Sequence, residues 1–180
     1  MTKDFQHPGE GAWLPAEVFD QLTREYNETW TRLGEGNWGS NAYAFANFQN
    51  RGMLLKFFLE QAFGDGIPRD NSAPLIERDS GGLDHFRQCF VAAATADQVD
   101  WIVWGLSFAT LRFHLFPISE SHPLNPSCVS PIMVGCMRTQ LVSVFEGGRF
   151  EAAETQFANL DWNVIENRIA CLEKPLQPAP

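Results

Sequence analysis

The chain has 180 residues, 44 % of them hydrophobic and 13 % aromatic, with fifteen Phe and six Trp, too much apolar side chain for a disordered polymer. A chain of this length buries roughly 70 % of the surface its unfolded form exposes, so a single globular domain over 1–180 is expected, with loosely ordered ends at 1–13 and 174–180. Thirteen basic residues against 22 acidic give a formal net charge of −9, and no window clusters the Lys and Arg that a phosphate backbone demands, so nucleic acid is excluded as an expected partner.

The first periodic segment runs from Pro15 to Leu33, where Val18, Leu22, Tyr26 and Trp30 recur every fourth residue with Phe19 and Leu33 beside them. That spacing predicts one stripe of an amphipathic helix, opened by Pro15 and closed by Gly34. Ser40 or Asn41 can cap a second helix whose apolar face is Phe45, Phe48, Leu55, Phe58, Leu59 and Ala62, with Gly52 marking a bend or a close helix contact. Residues 64–82, GDGIPRDNSAPLIERDSGG, lack sustained periodicity and read as a long loop, a candidate lid or partner-contacting segment. Leu83, Phe86, Phe90, Val91 and Ala94 define a third helix that stops near Thr95–Asp97.

The segment Trp101–Phe116, WIVWGLSFATLRFHLF, is the expected centre of the core, and its two halves point to different structures. Its first half reads as a helix buried on most sides, whereas TLRFHLF alternates with a period of two. A helix would set Ser107, Thr110 and His114 on one stripe; a strand would set Thr110, Arg112 and His114 side by side. The prolines Pro117, Pro123, Pro126 and Pro131 predict a second long loop over 117–130. Ser130–Pro131 then reads as a helix entrance, with Ile132, Cys136, Met137, Leu141, Val144 and Phe145 on the buried face and Gly147–Gly148 as the stop. Two further helices follow, Phe150–Leu160 and Asp161–Leu172, the latter with Trp162, Ile165, Ile169 and Leu172 at helical spacing. The expected fold is mainly α, with six or seven short amphipathic helices and a minor strand pair near 108–116 as the alternative.

Residues 147–157, GGRFEAAETQF, resemble the inter-helix turn and second-helix start of a tetratricopeptide repeat. The preceding residues depart from that pattern at Met137 and Leu141, and no second copy occurs, so the likeness implies a local helical hairpin and no function.

Arg112 and His114 stand out because a charge or an imidazole in an apolar layer needs a partner there; with Ser107 and Thr110 they form the candidate pocket or polar core. His114, His122, Cys128 and Cys136 are weak metal candidates, since their gaps of 8, 6 and 8 positions do not form the close pairs of a structural zinc site, and no metal or cofactor is expected. Cys128 or Ser130 with His114 or His122, oriented by Glu120, is the best nucleophile arrangement available, yet GxSxG, SxxK and glycine-rich phosphate loops are all missing, so no catalytic residue is assigned. The polar opening MTKDFQHPGEGAW and an apolar stretch shorter than the roughly 20 residues of a membrane-spanning helix predict a cytoplasmic protein with no membrane insertion. Its cysteines are expected as free thiols. Glu25, Glu28, Glu151 and Glu154 are the candidate interaction residues, an acidic face that would steer a basic partner. The expected function is that of an acidic, cytoplasmic, helical protein-binding protein of inhibitor, immunity or adaptor type. The alternative is a small enzyme or ligand-binding protein with an aromatic-lined pocket using His114 and Arg112.

Overall fold

Seven helices and three strands are seen among the described residues, in the order α1 (Ala16–Glu35), α2 (Ala42–Gln61), α3 (Ser72–Ser80), α4 (Leu83–Thr95), β1 (Trp101–Ser107), β2 (Arg112–Ile118), β3 (Val129–Cys136), α5 (Thr139–Val142), α6 (Gly148–Ala158) and α7 (Trp162–Glu173). This computed structural model describes residues 3–36, 38, 41–120 and 122–173. The expected cap Ser40, the tail 174–180 and the first two residues lie outside the described residues. The protein is mainly α, with one small antiparallel sheet in the order β2-β1-β3.

Helices α1, α2, α4, α6 and α7 form where the apolar spacing places them. Val18, Phe19, Leu22 and Tyr26 are buried along α1, and Asn41 caps α2 by accepting the Ala44 N–H at 3.1 Å. Gly52 marks a close contact between these two helices, since a Cβ there would lie 3.0 Å from Trp30 Nε1. The stretch 64–82 is not a loop throughout, because Ser72 and Ile76 are buried on α3.

The central segment is a hairpin, not a helix. Trp101 and Val103 face the core shared with α1 and α2, while Ile102 and Trp104 face the core shared with α4, α6 and α7. A strand covered on both faces reads as a continuous apolar run, so its alternation vanishes from the sequence. The expected helix after Ser130–Pro131 is also corrected: residues 129–136 are β3, and only Thr139–Val142 is helical before α6. Both prolines within the sheet, Pro117 and Pro131, sit on edge strands, and Pro131 lies opposite Gly105 at an irregularity in the ladder, where a missing N–H is tolerated. At Gly135 of β3 a Cβ would meet Phe90 Cζ at 2.6 Å, so glycine is what lets α4 lie against the strand.

The outer edge of β3 is closed by side chains. Gln61 Nε2 donates to the Val134 carbonyl at 2.6 Å and its Oε1 accepts the Val134 N–H at 3.3 Å. Arg168 Nη1 donates to the Ile132 carbonyl at 2.7 Å and to Gln61 Oε1 at 2.8 Å, while Nη2 reaches the Phe57 carbonyl at 3.0 Å and Glu60 Oε2 at 3.1 Å. Arg168 also stacks on the Phe57 ring, 3.9 Å from its centroid. One guanidinium thus joins α2, β3 and α7, and its burial lowers its pKa to about 10 against the opposing pull of Glu60. On the other edge, Asp79 of α3 accepts the Phe113 N–H of β2 at 2.8 Å.

Candidate functional site

The turn from Phe108 to Leu111 that joins β1 to β2 is exposed at one end of the sheet. The Phe108 N–H donates to the Cys128 carbonyl at 2.9 Å, and the Leu111 N–H closes the turn on the Ser107 carbonyl at 2.8 Å. Closing it holds Leu111 at φ 53°, in the left-handed region that costs an L-residue about 1–2 kcal/mol. The same turn leaves Phe108 47 % and Leu111 66 % exposed. Folding alone would favour glycine or asparagine at position 111 and a polar residue at 108.

All four residues of the expected pocket gather at this end, three of them exposed. Thr110 Oγ1 accepts the Arg112 backbone N–H at 3.3 Å and lies 3.0 Å from His114 Nε2, the side-by-side placement that the strand alternative implies. Thr110, Arg112 and His114 are exposed and Ser107 is half-buried opposite Arg112 in the ladder, so a polar core is ruled out at these positions. Residues 101–105 of β1 are buried throughout, whereas burial alternates at the start of β2, with Phe113 inside between the exposed Arg112 and His114.

The charge around the hairpin is set by one buried carboxylate. The Asp79 side chain is 1 % exposed and accepts from Arg78 Nε at 2.7 Å, from Arg78 Nη2 at 2.6 Å and from the Phe113 N–H, with Arg112 Nη1 at 3.9 Å. The Arg78 hydrogen bonds hold its carboxyl below the usual carboxylate range; burial opposes them, and the Phe113 N–H and Arg112 add to the lowering. Two exposed guanidiniums therefore answer a single carboxylate, and residues 107–116 contain no acid.

The four candidate interaction acids do not form a free face. Glu25 accepts from Arg51 Nε at 2.7 Å and is also paired with Arg138 Nη1. Glu154 is paired with Arg87, and Glu151 Oε2 accepts the Gly147 N–H at 2.7 Å at the start of α6. Glu28 is exposed. The pairing of Glu25 spans more than a hundred residues of chain, out of reach of any local pattern.

His114, His122 and Cys128 are exposed while Cys136 is fully buried, its thiol pushed up to about 12 by that burial. Among the described residues no three His, Cys, Asp or Glu side chains are grouped to hold a metal ion. Among them, too, no helix is long and apolar enough to cross a membrane. Phe108 and Leu111 are the site residues that periodicity missed, because they belong to a segment whose first half reads as a buried helix. The signal available was FATL itself, a four-residue link between a hydrophobic run and an alternating one. No protein-family model matches the chain, and no curated protein does.

Proposed function

We propose that the chain acts by binding another protein, as an inhibitor, immunity protein or small adaptor does, and that the end of the β1–β2 hairpin is the surface it presents. The observation that carries this reading is Leu111, two-thirds exposed and held in a left-handed conformation beside an exposed Phe108. Such a pair contributes most when each side chain enters an apolar socket on the partner. Arg78 and Arg112 flank it, so the matching socket is rimmed by carboxylates, and complementary charge speeds encounter. The negative charge elsewhere disfavours nucleic acid. Four unpaired cysteines suit the reducing cytoplasm.

The test is affinity capture from the source cell, followed by binding measurements on the captured protein with purified variants. Phe108→Ser and Leu111→Ser are each expected to weaken binding about tenfold or more, with circular dichroism unchanged, while Phe150→Ser on α6, also exposed, leaves it intact. Association should slow with added salt and with Arg112→Gln. A captured protein that binds the hairpin variants as tightly as the parent chain would overturn the reading.

A further inference from the structure

At the opposite end of the β1–β2 ladder, where Trp101 pairs with Ile118, the protein has a cleft of about 210 Å³ between α2 and the sheet. Leu54, Trp101 and Ile118 are 3 %, 2 % and 9 % exposed and form its apolar floor, Phe48 adds an aromatic wall, and Arg51 and Glu120 stand at its rim. Two guanidiniums and two carboxylates meet at and behind the rim, at unequal distances. Arg51 and Arg138 both bond to Glu25, so one carboxylate, 16 % exposed, answers two guanidiniums. The second carboxylate is Glu120, which is 51 % exposed and 3.4 Å from Arg138 Nη2, beyond the roughly 2.7–2.9 Å of a tight charged hydrogen bond. Arg138 itself is 12 % exposed and lies over the Trp101 ring at 5.8 Å. Arg138 thus has one firm and one loose counter-ion and lies over Trp101 of the apolar floor, reached from the cleft past Glu120.

We propose that this cleft binds a small monocarboxylate with an apolar body. The ligand's carboxylate takes the place of Glu120 on Arg138 and draws on Arg51, and its body covers Leu54, Trp101 and Ile118. The volume is below that of most drug-sized sites, which sets the size at a single ring with a short arm or a short branched chain. Glu120 is a competitor for the same cation, and this gives the site a signature that an unspecific apolar cleft lacks: removing a carboxylate from the protein strengthens binding of a carboxylate ligand.

The experiment titrates the full chain with phenylacetate by calorimetry or ligand-observed NMR, using phenylacetamide as the neutral isostere. Phenylacetate is expected to bind about tenfold or more tightly than phenylacetamide. Glu120→Gln, a change at an exposed side chain, should tighten phenylacetate severalfold without altering the amide, and Arg51→Gln should reduce the preference while Arg138 keeps part of it. Equal affinity for acid and amide would overturn the proposal, as would a Glu120→Gln variant that binds phenylacetate no better than the parent or fails to bind it at millimolar concentration. Because Glu120→Gln carries the test, misfolding of the Arg51 variant would not obscure the outcome.

Discussion

The side-chain amide of Gln156 pairs with the backbone of Cys136 as a neighbouring strand would, its Oε1 accepting the Cys136 N–H and its Nε2 donating to the Cys136 carbonyl, both at 2.8 Å. Gln61 does the same two residues earlier at Val134, and Arg168 takes the Ile132 carbonyl two residues before that. The spacing of two is the period of the strand, so these three side chains meet successive outward-facing backbone groups of β3. Helices supply the partners that a fourth strand would have supplied.

Replacing Gln156 with Leu keeps the volume and removes both bonds, leaving a buried N–H and a buried carbonyl without partners. Each such group costs about 1–3 kcal/mol, so urea unfolding should report a loss of about 3 kcal/mol. A loss below about 1 kcal/mol would mean that water takes the place of the amide.

Asp79 makes the stability depend on acid. Its folded carboxyl is held low, chiefly by Arg78, whereas an unfolded aspartate titrates near about 4. Its contribution is therefore complete above that value and is lost as pH falls through the lowered folded one. Asp79→Asn should cost about 2 kcal/mol at neutral pH and flatten the fall in unfolding free energy that sets in below about pH 4. An unchanged slope would show that other carboxylates carry the acid sensitivity.

Thiol labelling should separate the cysteines by burial. Cys128 and Cys171 are exposed and Cys136 is fully buried. Burial raises the Cys136 pKa to about 12 against the smaller opposing influence of Arg138, which denies it thiolate as well as access. In native protein at mildly alkaline pH, mass spectrometry after brief treatment with an aromatic disulfide should find Cys128 and Cys171 modified and Cys136 intact, with denaturant restoring its reactivity. Native modification of Cys136 at the rate of Cys128 would place local opening of β3 within easy thermal reach.

The helices that were legible in the sequence each bury one stripe: α1 through Val18, Leu22 and Tyr26, α4 through Phe86, Phe90 and Ala94, and α7 through Trp162, Ile165 and Ile169. β1 and β3 were not legible as strands, because both are largely buried on two faces and β3 carries, after Val129, a Ser-Pro pair of the kind that opens helices. Thr110, Arg112 and His114 were legible as neighbours through their period of two, but their exposure was not, since covering depends on where helices from distant parts of the chain end. Glu25 shows the same limit: its sequence neighbours say nothing of Arg138.

The partners that complete the sheet are spread along the chain in the order of its synthesis. β1 and β2 are joined through residues 108–111 and can pair as soon as both have emerged, while the other edge of β1 waits for 129–136 and the edge of β3 waits for α6 and α7. A nascent chain stalled after β2 displays an apolar strand with one bare edge, a template for mispairing. Shortening the protein from its C-terminal side removes that protection in steps: loss of α7 uncovers the Ile132 carbonyl, and loss of α6 uncovers both backbone groups of Cys136.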